Sequence, residues 1–137
     1  MITIEAGGNA GILSLNCYYT TEFHLGLRGG FGLFPYTNTE QPATTPVVLL
    51  MMEYFAAVPK SFFLEFGLGP LYAVNSGYFE SSIGVNGRSK FLLTAVFGVC
   101  YVPDHGGVTY SFSFTPFFGF RSRPIFPSVG FSIGYSF

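Results

Sequence analysis

Charge is scarce in this chain. Of its 137 residues only 9% are charged, six basic and seven acidic, against roughly 25% in an ordinary soluble domain. A formal net charge of -1 offers too little positive surface to neutralise a row of phosphates, so nucleic acid is not an expected partner. Cysteine occurs twice, at Cys17 and Cys100, too rarely for a disulfide framework or a metal site. Long apolar runs are missing as well. The two most apolar stretches, Pro46 to Val58 and Phe91 to Val102, stop short of the roughly 20 residues a helix needs to cross a bilayer. No basic segment followed by an apolar core and a cleavage site opens the chain, so the expectation is either a leader already removed or a fragment. No cofactor is expected.

What is present is apolar and aromatic. Hydrophobic residues make up 49% and aromatics 20%, with 18 Phe and nine Tyr, which excludes disorder because the chain has ample surface to bury. The length suits one domain over residues 1–137. Eighteen glycines interrupt the apolar runs while Phe, Tyr, Val and Thr surround them, a mixture that favours strand over helix. Pro35, Pro42, Pro59, Pro103 and Pro124 mark or flank the breaks. The chain reads as all-β.

Seven segments read as strands: Gly11 to Thr20, Glu22 to Phe34, Thr45 to Val58, Ser61 to Val74, Lys90 to Val102, Val108 to Phe118 and Ser128 to Phe137. They exceed the usual soluble length of about 5 to 6 residues and match the 9 to 11 or so of a tilted membrane-spanning strand. Period-2 alternation decides their faces. In the second segment Phe23, Leu25, Leu27, Gly29, Phe31 and Leu33 oppose Glu22, His24, Gly26, Arg28, Gly30 and Gly32. In the sixth, Val108, Tyr110, Phe112, Phe114, Pro116 and Phe118 oppose Thr109, Ser111, Ser113 and Thr115. In the last, Val129, Phe131, Ile133, Tyr135 and Phe137 oppose Ser128, Gly130, Ser132, Gly134 and Ser136. A soluble barrel or sandwich carries long polar residues on its outer face. Here the face opposite the bulky one is glycine and serine, so the pattern is that of a barrel turned inside out, with lipid over the aromatic rows and closure satisfying every backbone group.

Placing Glu53 and Glu65 inward in the third and fourth segments sends Val48, Leu50, Met52, Tyr54 and Ala56, and Phe62, Leu64, Phe66, Leu68 and Tyr72, outward. The fifth segment puts Phe91, Leu93, Ala95, Phe97, Val99 and Tyr101 outward and Thr94, Gly98 and Cys100 inward. Cys17 then points outward and Cys100 inward, so no bridge between them is expected. Membrane barrels keep short turns at the periplasmic side, longer loops outside and an even strand number. If the last strand ends at the periplasmic rim with Phe137, the connections Arg121 to Pro124, Asn75 to Arg88 and Tyr36 to Thr44 fall outside. Pro103 to Gly107, Pro59 to Lys60 and the turn near Thr21 fall on the other side. An upward strand must then precede Gly11, and Met1 to Ala6, with a turn at Gly7, Gly8 and Asn9, supplies a short or truncated one. The fold expected is an antiparallel up-and-down transmembrane β-barrel of eight strands.

Eight strands leave an interior just wide enough for side chains to fill. Glu22, His24, Arg28, Glu53 and Glu65, with Ser14, Asn16 and Tyr18, are expected to form a polar plug there. Arg28 is the only strongly basic residue in mid-strand, and such a charge needs a carboxylate or several acceptors beside it. Glu53 and Glu65 are its expected partners, or share a proton between them.

The opening Glu5-Ala-Gly-Gly-Asn-Ala-Gly-Ile-Leu-Ser-Leu-Asn16 and the closing Val129-Gly-Phe-Ser-Ile-Gly-Tyr-Ser-Phe137 resemble the first crossing and the terminal strand of small outer membrane β-barrel proteins of Gram-negative bacteria, particularly those of the Bacteroidota. The resemblance covers essentially the whole chain. It implies an outer membrane location and a terminal signal, Phe131, Ile133, Tyr135 and Phe137, read by the barrel assembly machinery. The group offers no common catalytic residues to carry over.

Candidate sites are few. His24 with Glu22 and Ser14 or Ser111 has the makings of a hydrolase set, but an interior structural histidine is the simpler reading. His105 beside Asp104 is too little for a metal. Gly26, Gly29, Gly30 and Gly32 lack a phosphate-loop spacing. Arg88, Lys90, Arg121 and Arg123 either contact the phosphates of lipopolysaccharide or are solvated rim charges, and Tyr36, Tyr78 and Phe126 suit an interfacial aromatic belt. Three functions compete: a structural or interaction barrel with a filled lumen and no catalysis, a membrane-embedded lipid hydrolase or acyltransferase, and a porin-like small-solute channel. Outer membrane lipids, lipopolysaccharide among them, and the assembly machinery are the expected partners of a monomer.

Overall fold

The computed structural model of the protein describes residues 1–37, 42–58, 61–73, 91–118 and 125–137. They form β1 (Ile2–Gly7), β2 (Leu13–Thr20), β3 (Leu25–Thr37), β4 (Pro42–Val58), β5 (Phe62–Ala73), β6 (Phe91–Tyr101), β7 (Gly107–Phe114), β8 (Phe117–Phe118), β9 (Ile125–Phe126) and β10 (Val129–Ser136). Every neighbouring pair is antiparallel. The order runs β5-β4-β3-β2-β1-β10-β7-β6, and β6 pairs back onto β5. The sheet is thus an eight-stranded, closed, up-and-down barrel. Closure leaves no sheet edge along the ring, which is what a chain with so few polar side chains requires to satisfy its backbone.

β8 and β9 prolong β7 and β10. The register that pairs Val129 with Phe114 continues unchanged into Phe117 opposite Phe126, with Thr115 N donating to Ser128 O between them at 2.8 Å. Prolines account for both interruptions. Pro127 points its missing N–H toward the side where β1 has already ended, a position that tolerates proline. Pro116 accepts from Ala95 N at 3.1 Å but cannot return the bond. Its side chain is buried rather than part of the outer aromatic row, and Phe117 turns inward.

The first strand is short, as expected, yet all six of its residues pair with β10 and five with β2. The turn after it folds into the barrel. Gly7 and Gly8 take positive φ, and residues 8–11 are buried, with Asn9 and Ala10 wholly so. The two ends of the barrel differ. The terminal end carries Met1, Phe137, Ser61 and the turns around 21–24 and 102–106, while β3 and β4, β5 and β6, and β8 and β9 are joined in sequence across the far end.

Alternation sorts the side chains as the sequence implies, except that Ala95, expected in the outward row of the fifth segment, is only 5% exposed. Leu13, Leu15, Cys17 and Tyr19 of β2 are exposed and Ser14, Asn16 and Tyr18 buried. On β4, Val48, Leu50, Met52 and Tyr54 face out while Val47, Leu49, Met51, Glu53 and Phe55 face in. The interior is layered rather than uniformly polar. Toward the far end Phe34, Val47, Leu49, Met51, Leu71, Leu92, Val96 and Phe117 pack together with Ala10 and Ala73. The charged residues follow, and Tyr18, Phe55 and Cys100 close the terminal end.

Candidate functional site

The strands contain four charged residues among those described, Glu5, Arg28, Glu53 and Glu65, and all four point inward and meet. Arg28, only 1% exposed, reaches from β3 to carboxylates on three other strands. Its Nη2 donates to Glu5 Oε2, and its Nη1 lies 3.6 Å from Glu53 Oε1 and 4.0 Å from Glu65 Oε1. Nε donates to Asn16 Oδ1 at 3.0 Å, and the Tyr18 ring lies 5.2 Å from the guanidinium carbon. Glu5 is held in turn by the Ser14 hydroxyl at 3.2 Å and the Asn16 amide at 3.4 Å. A buried cation is thereby surrounded by acceptors, the condition for carrying one inside a barrel.

Small residues around the cluster make the room. A Cβ on Gly67 would collide with the Glu53 side chain and Val96, and one on Gly130 with Glu5 Oε1. Gly67 and Gly130 are therefore the complement of the long charged side chains of Glu53 and Glu5. A second polar network ties the folded-in turn to the wall. Asn9 accepts from the Thr94 hydroxyl at 2.7 Å and donates to Met51 Sδ at 3.3 Å, while that same hydroxyl lies 3.2 Å from the Pro116 carbonyl.

The cluster differs in membership from the expected set. Arg28, Glu53 and Glu65 come together as anticipated, with Ser14, Asn16 and Tyr18 beside them. Glu22 and His24 do not join. Both are exposed and lie in the turn before β3, because His24 takes φ 60 and its N–H donates to Thr21 O at 3.1 Å, closing a turn where the alternation predicts strand. Glu5 was the partner missed. The signal was available, since Thr3 and Glu5 alternate with Ile2 and Ile4, and the rule that places Ser14 and Asn16 inside places Glu5 inside too.

The hydrolase set is dispersed. Ser14 bonds Glu5, Ser111 lies 2.6 Å from Ser132 Oγ, and among the described residues neither serine bonds His24. His24 instead packs its ring 6.0 Å from that of Phe63. Cys17 is exposed and Cys100 buried, both free. No group of metal-ligating side chains occurs among the described residues, nor does a helix long and apolar enough to cross a membrane. Arg88, Lys90, Arg121, Arg123 and Tyr78 lie outside the described residues, as do the side chains of Tyr36 and Phe126.

Two spaces lie at the terminal end. A mouth cavity of about 340 Å³ is lined by Met1, Tyr18, Tyr19, His24, Phe55 and Phe63, among others. Beneath it is a void of about 10 Å³ reached by Thr3, Glu65, Cys100 and Thr109.

Compared with family models, curated proteins and solved structures, the chain matches none.

Proposed function

We propose that the protein is an integral membrane barrel of the small Gram-negative outer membrane group, with a filled lumen, a structural or interaction role and no catalysis of its own. One observation carries the reading. Every charged residue in a described strand faces inward, while the exposed residues of those same strands include Leu15, Leu27, Phe31, Leu50, Met52, Phe66, Leu68, Phe97, Phe112, Phe131 and Ile133. Soluble monomers seldom expose a contiguous apolar patch beyond a few hundred Å². An apolar wall around a closed barrel suits hydrocarbon, where charge on the outer face costs about 2–4 kcal/mol at mid-depth.

Dimensions and end residues agree. The eleven residues of β6 run about 36 Å, or about 28 Å along the barrel axis at a tilt of about 40°, against an apolar band of about 25 Å. At the terminal end Tyr19, Phe23, Phe62, Tyr110, Tyr135 and Phe137 are all exposed, the placement of an interfacial aromatic girdle. In this reading the terminal end faces the periplasm. The cations Arg88, Lys90, Arg121 and Arg123 lie in sequence between strands whose described ends meet the opposite rim, and lipopolysaccharide phosphates are the partner this reading proposes for them. The apolar layer and the charged cluster, with a void of only about 10 Å³ beneath the mouth, favour a filled lumen over a conducting one. The separation of His24 from Ser14 favours a non-catalytic barrel over a lipid hydrolase.

The chain has no tryptophan, which supplies the test. Single tryptophans replacing Phe112 or Phe131 in protein reconstituted into vesicles should be quenched by lipids brominated on their acyl chains. A tryptophan replacing Phe55, inside the wall, should not. Equal quenching at all three, or none at the outer two, would overturn the membrane assignment.

A further inference from the structure

The void beneath the mouth is bounded by unusual neighbours. Thr3 Oγ1, Thr109 Oγ1 and Glu65 Oε1 are buried oxygens without a hydrogen-bond partner in the protein, and their three residues line this one space, on β1, β7 and β5. Each residue is 2% exposed. Leaving such groups unbonded is costly, and proteins meet that cost with ordered water where a polar void is large enough. At about 10 Å³ the space reaches the size that admits a single molecule, and three oxygens fall within the two to four partners or so that a buried water usually has.

We propose that this void is a water-binding site, in which one molecule bridges Thr3 Oγ1, Thr109 Oγ1 and Glu65 Oε1, and that it exchanges with solvent through the terminal end only. Water donates to the Glu65 carboxylate and, with its second hydrogen and lone pairs, serves the two hydroxyls. The route is set by the walls. Met1, Tyr18 and Phe55 line both the mouth cavity and the void, so a thin partition separates them. On the opposite side Leu49, Met51, Leu71, Leu92, Val96 and Phe117 pack together, and the polar groups set among them, Asn9 and Thr94, are already bonded to each other, to Met51 Sδ and to the Pro116 carbonyl, so this layer offers water less of a path than the terminal end. The charged cluster is then hydrated from one end, through Glu65. The site lies inside the barrel wall, whatever surrounds that wall.

Two measurements on the intact chain in detergent micelles test it. With methyl-labelled threonine, the Thr3 and Thr109 methyls should show magnetisation transfer from water, and Thr3→Val should abolish it at Thr109. Absence of transfer in the folded parent protein would overturn the site. Cys100 lines the same void and reports the route. In a Cys17→Ser background its modification by mercuric ion should be about tenfold faster in Phe55→Ala, which opens the partition to local fluctuation, and unchanged in Leu92→Ala. Faster reaction in Leu92→Ala than in Phe55→Ala would overturn the one-sided route. Should Phe55→Ala fail to fold, Tyr18→Leu thins the same partition, and an unchanged Cys100 rate there would count equally against it.

Discussion

Replacing Arg28 with alanine should cost the barrel about 3–5 kcal/mol, because it removes the one cation from among three buried carboxylates and leaves their charge uncompensated. The magnitude follows from the geometry. At an effective dielectric near 20, charges 3.6 and 4.0 Å apart attract by about 4–5 kcal/mol each, and desolvation offsets most of that while both partners are present. Removing the cation keeps the desolvation and loses the attraction. The partners should not contribute equally. Glu5 accepts a direct hydrogen bond from Nη2, whereas Glu65 stands 4.0 Å from Nη1. A double-mutant cycle of Arg28→Ala with Glu5→Ala should therefore return a coupling about 1–2 kcal/mol larger than the cycle with Glu65→Ala, the margin of a charge-assisted bond. Denaturant unfolding in lipid vesicles, followed by the shift between folded and unfolded migration on unheated gels, measures both. Planar-bilayer recording of the same variants adds the lumen. An Arg28→Ala barrel within about 0.5 kcal/mol of the parent, or one that carries a steady current with altered ion selectivity, would refute the packed-interior argument, since a hydrated pore lets the carboxylates keep their water.

Spin labels at Phe112, Phe114 and Phe131 in bilayers should contact oxygen dissolved in lipid, and labels at Ser113 and Ser132 should be immobilised and shielded; water exposure at the aromatic positions would contradict the facing. Deleting Phe137, or Phe137→Asp, should impair membrane assembly far more than Ser136→Ala, read as the folded fraction in isolated membranes, and undiminished assembly of the deletion would count against a terminal signal. His24→Gly should leave stability unchanged or raise it, while His24→Ala should lower it by about 1 kcal/mol, because the left-handed φ of 60 penalises a Cβ that no longer has a ring to pack on Phe63. Loss of a lipid-hydrolysing activity in His24→Ala with stability intact would instead support the enzymatic alternative. Gly67→Ala should destabilise the barrel by about 1–3 kcal/mol by crowding Glu53 and Val96, measured by the same unfolding assay.

Much of this molecule is legible in its sequence, because alternation is a local property. A residue's parity within a strand sends its side chain to one face, so Phe112 and Ser113, or Leu27 and Arg28, could be assigned to opposite sides from neighbours alone. The strand number and the facing of most strand residues followed from the same pattern, but the connection expected over Tyr36 to Thr44 did not hold: β3 and β4 run on and pair Tyr36 with Ala43 and Thr37 with Pro42, so only 38–41 separates them. What alternation does not contain is height and partnership. Glu22 and His24 share the parity of Arg28, yet β3 starts at Leu25 because a left-handed residue closes the turn there, and no periodicity announces the last residue of a turn. Glu5 and Arg28 are 23 positions apart and two strands removed. They meet because the stagger between strands and the closure of the ring bring their side chains to one level of the lumen, and glycines on the strands beside them leave the volume for it. The layering of the interior, apolar toward the far end and charged below, arises in the same way. Each strand alone shows only which residues face inward, and only the closed barrel decides which inward residues lie side by side.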